Sequence, residues 1–437
     1  MVGILLSRRG SLRSCLLTDD TDVLVFLVYL TMRILILDTY YQEPLDLIYE
    51  QNPGLEQRPY DEQIRSVYDF GFARADFLPL NLRRLGHEAE QFIANVEPLQ
   101  RRWAIERGLR LPASSKHKQS ALRALWKRGY TSLRWRMGIA HGPIVEKWET
   151  AAVAAQVAAY DPEVIFVCDV LHLPVKFLAQ LKEDGRRILV GEIAYPIPAN
   201  LDLRPFDLLV SAAPNYVERL RQSGANAEFL RLAFEPSILD RLDPSPKREG
   251  VVFVGYIGAF HQKRVQLLEE VAERVPLSCW GTGAETLDPN SPLRKLIQPP
   301  LWGYQMYRKL QEAQIVLNIH VDVSEKYAGN MRLYETTGVG TTLVTDWKSN
   351  LHELFEPGRE VIAYHSPAEC ADLVEYYLAR ANEREAIGRA GQQRTLREHT
   401  YLQRMQEMGS ILERHLRKPF GQWGAGDAQL KPSRVAP

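Results

Sequence analysis

Asn330 with Arg332 opens a helix-like turn whose Glu335, three positions after Arg332, points back along the same face, about one helical turn beyond the Gly329–Met331 backbone. That pattern suits one kind of chemistry. A carboxylate so placed can bind the ribose hydroxyls of a nucleotide while the N–H groups at the helix start hold its diphosphate. The apolar run Ile315–His320 just upstream reads as a buried strand and its end. Gly338 and Gly340 then stop the helix, because glycine takes the left-handed C-cap conformation without steric cost. Thr341–Thr345 follows as a β-branched strand with Asp346 at its end. In an open parallel sheet, carboxyl ends of strands and the helix starts after them line the ligand crevice.

A second phosphate cradle is expected at Gly255 and Gly258. The strand Val251–Val254 runs into that glycine turn, and Lys263 and Arg264 open the helix that follows, placed to neutralise a diphosphate. The same residues also fit a plain tight turn. Three groups at strand ends in the first half are candidate bases: Asp38, Asp169 and His172. Each has a structural alternative, helix capping for the two aspartates and core packing for the histidine.

The elements that must position these residues alternate along the chain. Met32–Asp38 is a compact buried strand, and strand–helix–strand units repeat through Glu90–Val96, Val164–Cys168, Arg187–Val190, Phe206–Ser211 and Glu228–Phe234. Leu242–Gly250, rich in proline and charge, reads as a linker, after which the pattern restarts with Val251–Val254, Leu277–Trp280, Ile315–Ile319 and Glu360–Tyr364. This alternation predicts an α/β chain of two Rossmann-like, doubly wound domains facing across a cleft. The boundaries expected are 32–241 and 251–416, with 242–250 between them, 1–31 an extension outside the fold and 417–437 a disordered tail.

Composition excludes several classes. Over 437 residues Lys+Arg and Asp+Glu are equal at 54 each, which leaves no global field to draw nucleic acid or a membrane surface. The four cysteines, Cys15, Cys168, Cys279 and Cys370, lie far apart, which argues for a reducing compartment and against structural zinc. The apolar run from Val23 is broken by Thr31 and Arg33 and is shorter than a spanning helix needs. One segment departs from the average. Between Arg107 and His141, basic residues from Arg110 to Arg136 alternate with Trp126, Tyr130 and Trp135, as in a solvated helix face or a peripheral contact with a membrane or phosphorylated acceptor.

The series Asn330, Arg332, Glu335, Gly340, Thr345-Asp346, then Arg394, His399-Thr400-Tyr401 and Arg404, resembles the C-terminal domain of the group 1 glycosyltransferases of the spore-maturation-protein type. The opening MRILILDTYYQEPLDLIYEQNPGL and the segment LGHEAEQFIANVEPLQRRWA resemble that group's N-terminal domain, so the likeness runs from Met32 to about Leu416. It implies the two-domain GT-B fold and transfer of a sugar from a nucleotide diphosphate sugar to a polysaccharide, glycolipid or small acceptor, in the cytoplasm or at the inner membrane face, with no cofactor. It also implies that Glu335 holds the donor ribose, that Gly329, Asn330 and Met331 face the diphosphate, and that Lys263 or Arg264 offsets its charge. Arg332 is then either a donor contact or the structural partner of Glu335 or Asp346. No metal is expected, since Asp322-Val-Ser lacks a second carboxylate at the right spacing. One departure stands out: many retaining relatives carry a glutamate eight positions before the ribose ligand, where this chain has Tyr327. Retention or inversion is therefore open, as are an epimerase of the same fold and a non-catalytic sugar-nucleotide binder.

Overall fold

The computed structural model describes residues 12–15, 27–114, 145–182, 185–193, 201–247 and 249–416. Most of the basic segment expected between 107 and 141, the tail 417–437 and most of the extension 1–31 lie outside these residues. Of that extension, β1 (Leu12–Cys15) and β2 (Leu27–Leu30) form an antiparallel ladder that joins neither of the larger sheets.

Two six-stranded parallel sheets make the body. The first holds β3 (Arg33–Asp38), β4 (Glu88–Ile93), β5 (Val164–Val167), β6 (Ile188–Glu192), β7 (Leu208–Ser211) and β8 (Ala227–Phe229), in the order β4-β3-β5-β6-β7-β8. The second holds β9 (Glu249–Val254), β10 (Leu277–Trp280), β11 (Ile297–Gln298), β12 (Ala313–Asn318), β13 (Thr342–Asp346) and β14 (Ile362–Tyr364), in the order β11-β10-β9-β12-β13-β14. β3, β5 and β12 are almost wholly buried, as strands covered by helices on both faces must be, and this is why they read as unbroken apolar runs. The two Rossmann-like domains expected from the alternation are therefore present. Strand order reverses between β3 and β5 and between β9 and β12, so a crevice opens beyond the carboxyl end of each pair.

Several boundaries differ from the reading of the sequence, each for a tertiary reason. The strand expected over Glu228–Phe234 stops at Phe229, since β8 is an edge with one neighbour, and Phe234 pairs instead with a crossing segment. β9 takes in Glu249 and Gly250, because Glu249 registers against Ala313 of β12. The helix Gly303–Glu312 starts at a residue whose φ of +54° and close approach to the Phe70 carbonyl only a glycine permits.

Two crossings tie the halves together. Phe234 donates its N–H to the carbonyl of His399 (2.9 Å), and Tyr401 donates to the carbonyl of Phe234 (3.0 Å). The helix Tyr401–Leu416 then returns to the first domain, where Met405, Met408 and Leu412 join the core formed by Ile34, Ile36, Leu78 and Leu82. Rings of Tyr41 and Phe72 meet Trp302 on one side of the cleft, while Asn215 donates to the Val323 carbonyl (3.0 Å) and Arg219 pairs with Glu325 on the other. Among the described residues no helix is long and apolar enough to cross a membrane.

The crossing also carries a titratable group. His399 shares hydrogen with the Leu354 carbonyl through Nε2 (2.8 Å), which makes Nε2 the donor, and its Nδ1 is buried without a partner between the rings of Tyr334 and Phe355. Burial, with Arg404, Arg394 and Arg231 nearby, lowers its pKa from 6.5 to about 4. The unfolded chain binds this proton at a pH where the folded chain does not, so the contribution is complete above about pH 6.5 and is lost as pH falls toward 4. Thermal midpoints measured across this window should fall with pH, by on the order of 3 kcal/mol in stability at the low end. His399→Gln should flatten that slope.

Candidate functional site

The second sheet supplies one wall of the cleft. Helix Met331–Gly338 follows β12, and its first turn points at the strand ends with no side chain capping it, so its leading amides stay open for an anion. The residues that set this turn form a chain of polar contacts. Lys348 pairs with Asp346 (3.3 Å), and Asp346 accepts from both the backbone N–H (3.0 Å) and Nδ1 (2.7 Å) of His320. His320 accepts the Gly329 N–H through Nε2 (3.2 Å), which fixes the neutral tautomer with its proton on Nδ1. Burial works against the Asp346 charge, but the hydrogen bonds from His320 and the nearby Lys348 carry its pKa below the usual carboxylate range. Asn330 donates to Asn318 Oδ1 (2.8 Å), locking the helix start to the end of β12, and Met331 is the first helical residue.

Glu335 is buried, one turn further in. Arg332 faces it at 2.9 Å and also donates to the Val254 carbonyl at the end of β9 (3.3 Å), so the sequence alternative that paired Arg332 with Glu335 is the one observed. Burial raises the Glu335 pKa and Arg332 offsets part of the rise.

The glycine turn after β9 lies alongside. Gly281 comes so close to Gly255 that a Cβ would lie 1.8 Å from the Gly255 carbonyl oxygen, so both stretches must stay bare. Arg264 donates to the carbonyls of Tyr256 (2.8 Å) and Ile319 (3.2 Å), bridging the two strand ends that bound the crevice, and burial lowers its pKa. Lys263, its neighbour, instead reaches Asp322 (2.8 Å) at the exposed surface. Gly258 abuts the Tyr256 and Thr286 side chains at the outer part of the same turn.

The first sheet supplies the opposite wall. Asp38 closes β3, buried, and accepts the Thr39 N–H (2.8 Å). Asp169 accepts from the Leu171 N–H (2.9 Å), and His172 shares a hydrogen with buried Glu149 (2.8 Å) on the helix Lys147–Tyr160. The structure brings Asp38 into a group that the sequence reading missed: Arg74 with Glu192 (2.5 Å), and Tyr401. Burial opposes the Arg74 charge, yet Glu192, Cys168 and Asp38 hold its pKa well above the ordinary value. Burial raises the Tyr401 phenol pKa, with Arg74 opposing the rise and Glu192 and Glu335 adding to it. Glu192 had one readable signal, a carboxylate closing an apolar run; Arg74, in the turn between the helices Tyr60–Asp69 and Phe77–Arg84, had none. Among the described residues no group of three or more His, Cys, Asp or Glu is placed to hold a metal.

With this geometry in hand, comparisons with known proteins bear on the fold. Residues 263–410 match the model of a family described as glycosyl transferase-like. No curated protein matches the chain. A glycosyltransferase structure from Rickettsia africae superposes with a TM-score of 0.52 at 10% identity, over 89% of this chain and all of that one. Anabaena HepE in complex with UDP-glucose superposes with a TM-score of 0.50 at 12% identity, over 88% of this chain and all of that one. The sucrose-phosphate synthase of Thermosynechococcus elongatus gives 0.50 at 12% identity, over 88% and 99% respectively. The chain has the GT-B fold, two Rossmann-like domains facing across a cleft.

Asp38 sharpens into a measurable expectation. Burial raises its pKa, Arg74 and the Thr39 N–H oppose the rise, and Glu192 and Asp169 add to it. A folded-state pKa above the unfolded one means that ionisation costs stability above it. Asp38→Asn, which keeps the acceptor for Thr39, should therefore raise the thermal midpoint at pH 7, with the gain shrinking as pH is lowered toward 4.

Proposed function

We propose that this protein is a group 1 glycosyltransferase of the spore-maturation type, moving a sugar from a nucleotide diphosphate sugar on the second domain to an acceptor hydroxyl on the first. The observation that carries the reading is the buried Glu335, set one turn behind an uncapped helix start and paired with Arg332. A carboxylate there binds paired ribose hydroxyls, while open amides and a guanidinium suit a diphosphate. The match of residues 263–410 to a glycosyl transferase-like family supports the same assignment.

On this reading the acceptor oxygen attacks the anomeric carbon and gives up its proton to a group on the first wall, with Asp38 the candidate best placed. The bond from the anomeric carbon to the diphosphate oxygen breaks as the new bond forms. The charge left on the diphosphate is met by the open amides that begin the helix at Met331 and by Arg264, so the chain's own groups take the part a cation would play elsewhere. Arg332 orients Glu335 and offsets part of the cost of burying its charge.

Calorimetric titration with UDP, GDP and their sugars should show at least one ligand in the micromolar range; binding of none removes the assignment. Glu335→Gln keeps the shape that Arg332 packs against, and should weaken that ligand by on the order of 1.5–3 kcal/mol, the cost of losing a charged hydrogen bond. Unchanged affinity would make Glu335 a structural residue.

A further inference from the structure

Between the helices Tyr60–Asp69 and Phe77–Arg84 the chain makes a turn at a cost in backbone strain. Gly71, Ala73 and Ala75 all lie at positive φ, +71°, +51° and +41°, and alanine is disfavoured there. Residues held so persist only where their surroundings over-determine them. What the turn delivers is Arg74. It meets Glu192 at 2.5 Å, and Glu192 stands in one row with Asp38, because Leu37, Val167 and Gly191 are in register on adjacent strands.

The second domain supplies much of what holds this turn. The Trp302 ring meets Phe72, with centroids 5.5 Å apart, and packs on the first domain's core. Gly303 comes so close to the Phe70 carbonyl that a Cβ would lie 1.9 Å from the oxygen, and Tyr304 donates its N–H to the same carbonyl (3.3 Å). The Tyr304 ring covers Gly71, where a Cβ would fall 2.6 Å from it. Two glycines, one on each domain, are therefore bare so that the segments can interlock. Arg241 adds a pair with Asp69 (2.7 Å), its guanidinium lying over the Tyr304 ring.

This clamp is the start of the helix Gly303–Glu312, and one turn further along the same helix touches the partner of Glu335. Both terminal nitrogens of Arg332 reach the Met306 sulfur, at 3.4 and 3.5 Å, and Arg332 pairs with Glu335 at 2.9 Å. Contacts thus run from Glu335 through Arg332 and Met306 to Tyr304 and the turn, and from Arg74 to the row that holds Asp38. Continuity alone transmits nothing; coupling needs an element with two forms that both ends bias. The turn is such an element, since Ala73 and Ala75 relax to negative φ if the clamp loosens.

We propose that the helix Gly303–Glu312 sets the first wall in step with the nucleotide site. Ribose hydroxyls on Glu335 fix the carboxylate that Arg332 grips, Met306 and Tyr304 are steadied with it, and the turn is kept in its strained form with Arg74 at Glu192. The inference deepens the transferase reading and rests on it. Tyr304 is a positioning residue, acting through the turn on Arg74.

Hydrogen exchange read by mass spectrometry follows the turn directly. The amides of Gly71, Ala75 and Phe77 donate to the carbonyls of Tyr68, Phe72 and Arg74, at 2.9, 2.8 and 2.8 Å, and exchange when the turn opens. The full chain is compared free and saturated with UDP or GDP, whichever binds in calorimetry. Nucleotide should slow exchange over residues 70–77 at least tenfold. In the free protein Tyr304→Ala should speed exchange there at least tenfold. The same variant should lose the response to nucleotide while binding it within twofold of the parent, which also shows that its second domain is folded. Tyr304→Phe, which keeps the ring over Gly71, should behave as the parent does. Binding of neither nucleotide defeats the transferase reading, a separate result, and the comparison of the free proteins then decides the clamp by itself. Exchange over 70–77 that ignores bound nucleotide in the parent protein overturns the proposal. So does a Tyr304→Ala turn that exchanges no faster than the parent's.

Discussion

Two backbone hydrogen bonds at Phe234 hold the plan of this molecule together. The Phe234 N–H reaches the His399 carbonyl and its own carbonyl receives the Tyr401 N–H, so the chain's outward and return crossings are one short ladder. Everything on either side is set from that point. The Phe234 ring lies where a Cβ on Gly338 would fall, at 2.4 Å, so the helix carrying Glu335 can approach the crossing only because its last residue is glycine. Tyr401 is brought to the cleft by the same ladder, and the helix it opens packs Met405, Met408 and Leu412 on the first domain. The two domains therefore share a core at this crossing.

Charge is divided across that cleft. The second domain offers amide N–H groups and guanidinium groups, oriented through a relay in which Lys348, Asp346 and His320 each fix the next and the last fixes Gly329. The first offers carboxylates. Burying so many ionised groups opposes folding, and a buried pair such as Arg74 and Glu192 is poor evidence for stability, since two apolar residues in its place often serve as well. Backbone strain adds to the cost: Ala73 and Ala75, which flank Arg74, sit at φ +51° and +41°, where alanine is disfavoured. Such expense at a strand-end crevice is the mark of a site shaped by a ligand rather than by the fold.

Burial also explains which of two neighbours takes part. Lys263 and Arg264 read alike in the sequence, both basic and both at a helix start, yet one turns outward to Asp322 and the other inward to the carbonyls of Tyr256 and Ile319. The helix Gln262–Arg274 must turn Val265, Leu267, Leu268 and Val271 to the core, and that rotation sets both directions at once.

What the sequence by itself determined is what local chemistry decides. Apolar runs bounded by glycine, proline and acidic residues marked every strand of the two six-stranded sheets except the two-residue β11, because a strand buried on both faces has no freedom to carry polar side chains. The Asn330–Glu335 helix and its glycine stop were legible for a like reason: a helix start needs open amides, and its end needs a residue tolerant of the left-handed region. Tertiary structure decided the rest. Arg74, Glu192 and Tyr401 are more than 100 positions apart in sequence and meet because parallel strands bring their carboxyl ends to one edge while the final helix crosses back. The fate of His172, tied to Glu149, and the end of β8 at Phe229 were likewise set by partners distant in the chain. Spacing encodes a residue's face on its own element, but which faces meet is settled only when the sheets stack and the chain crosses between them.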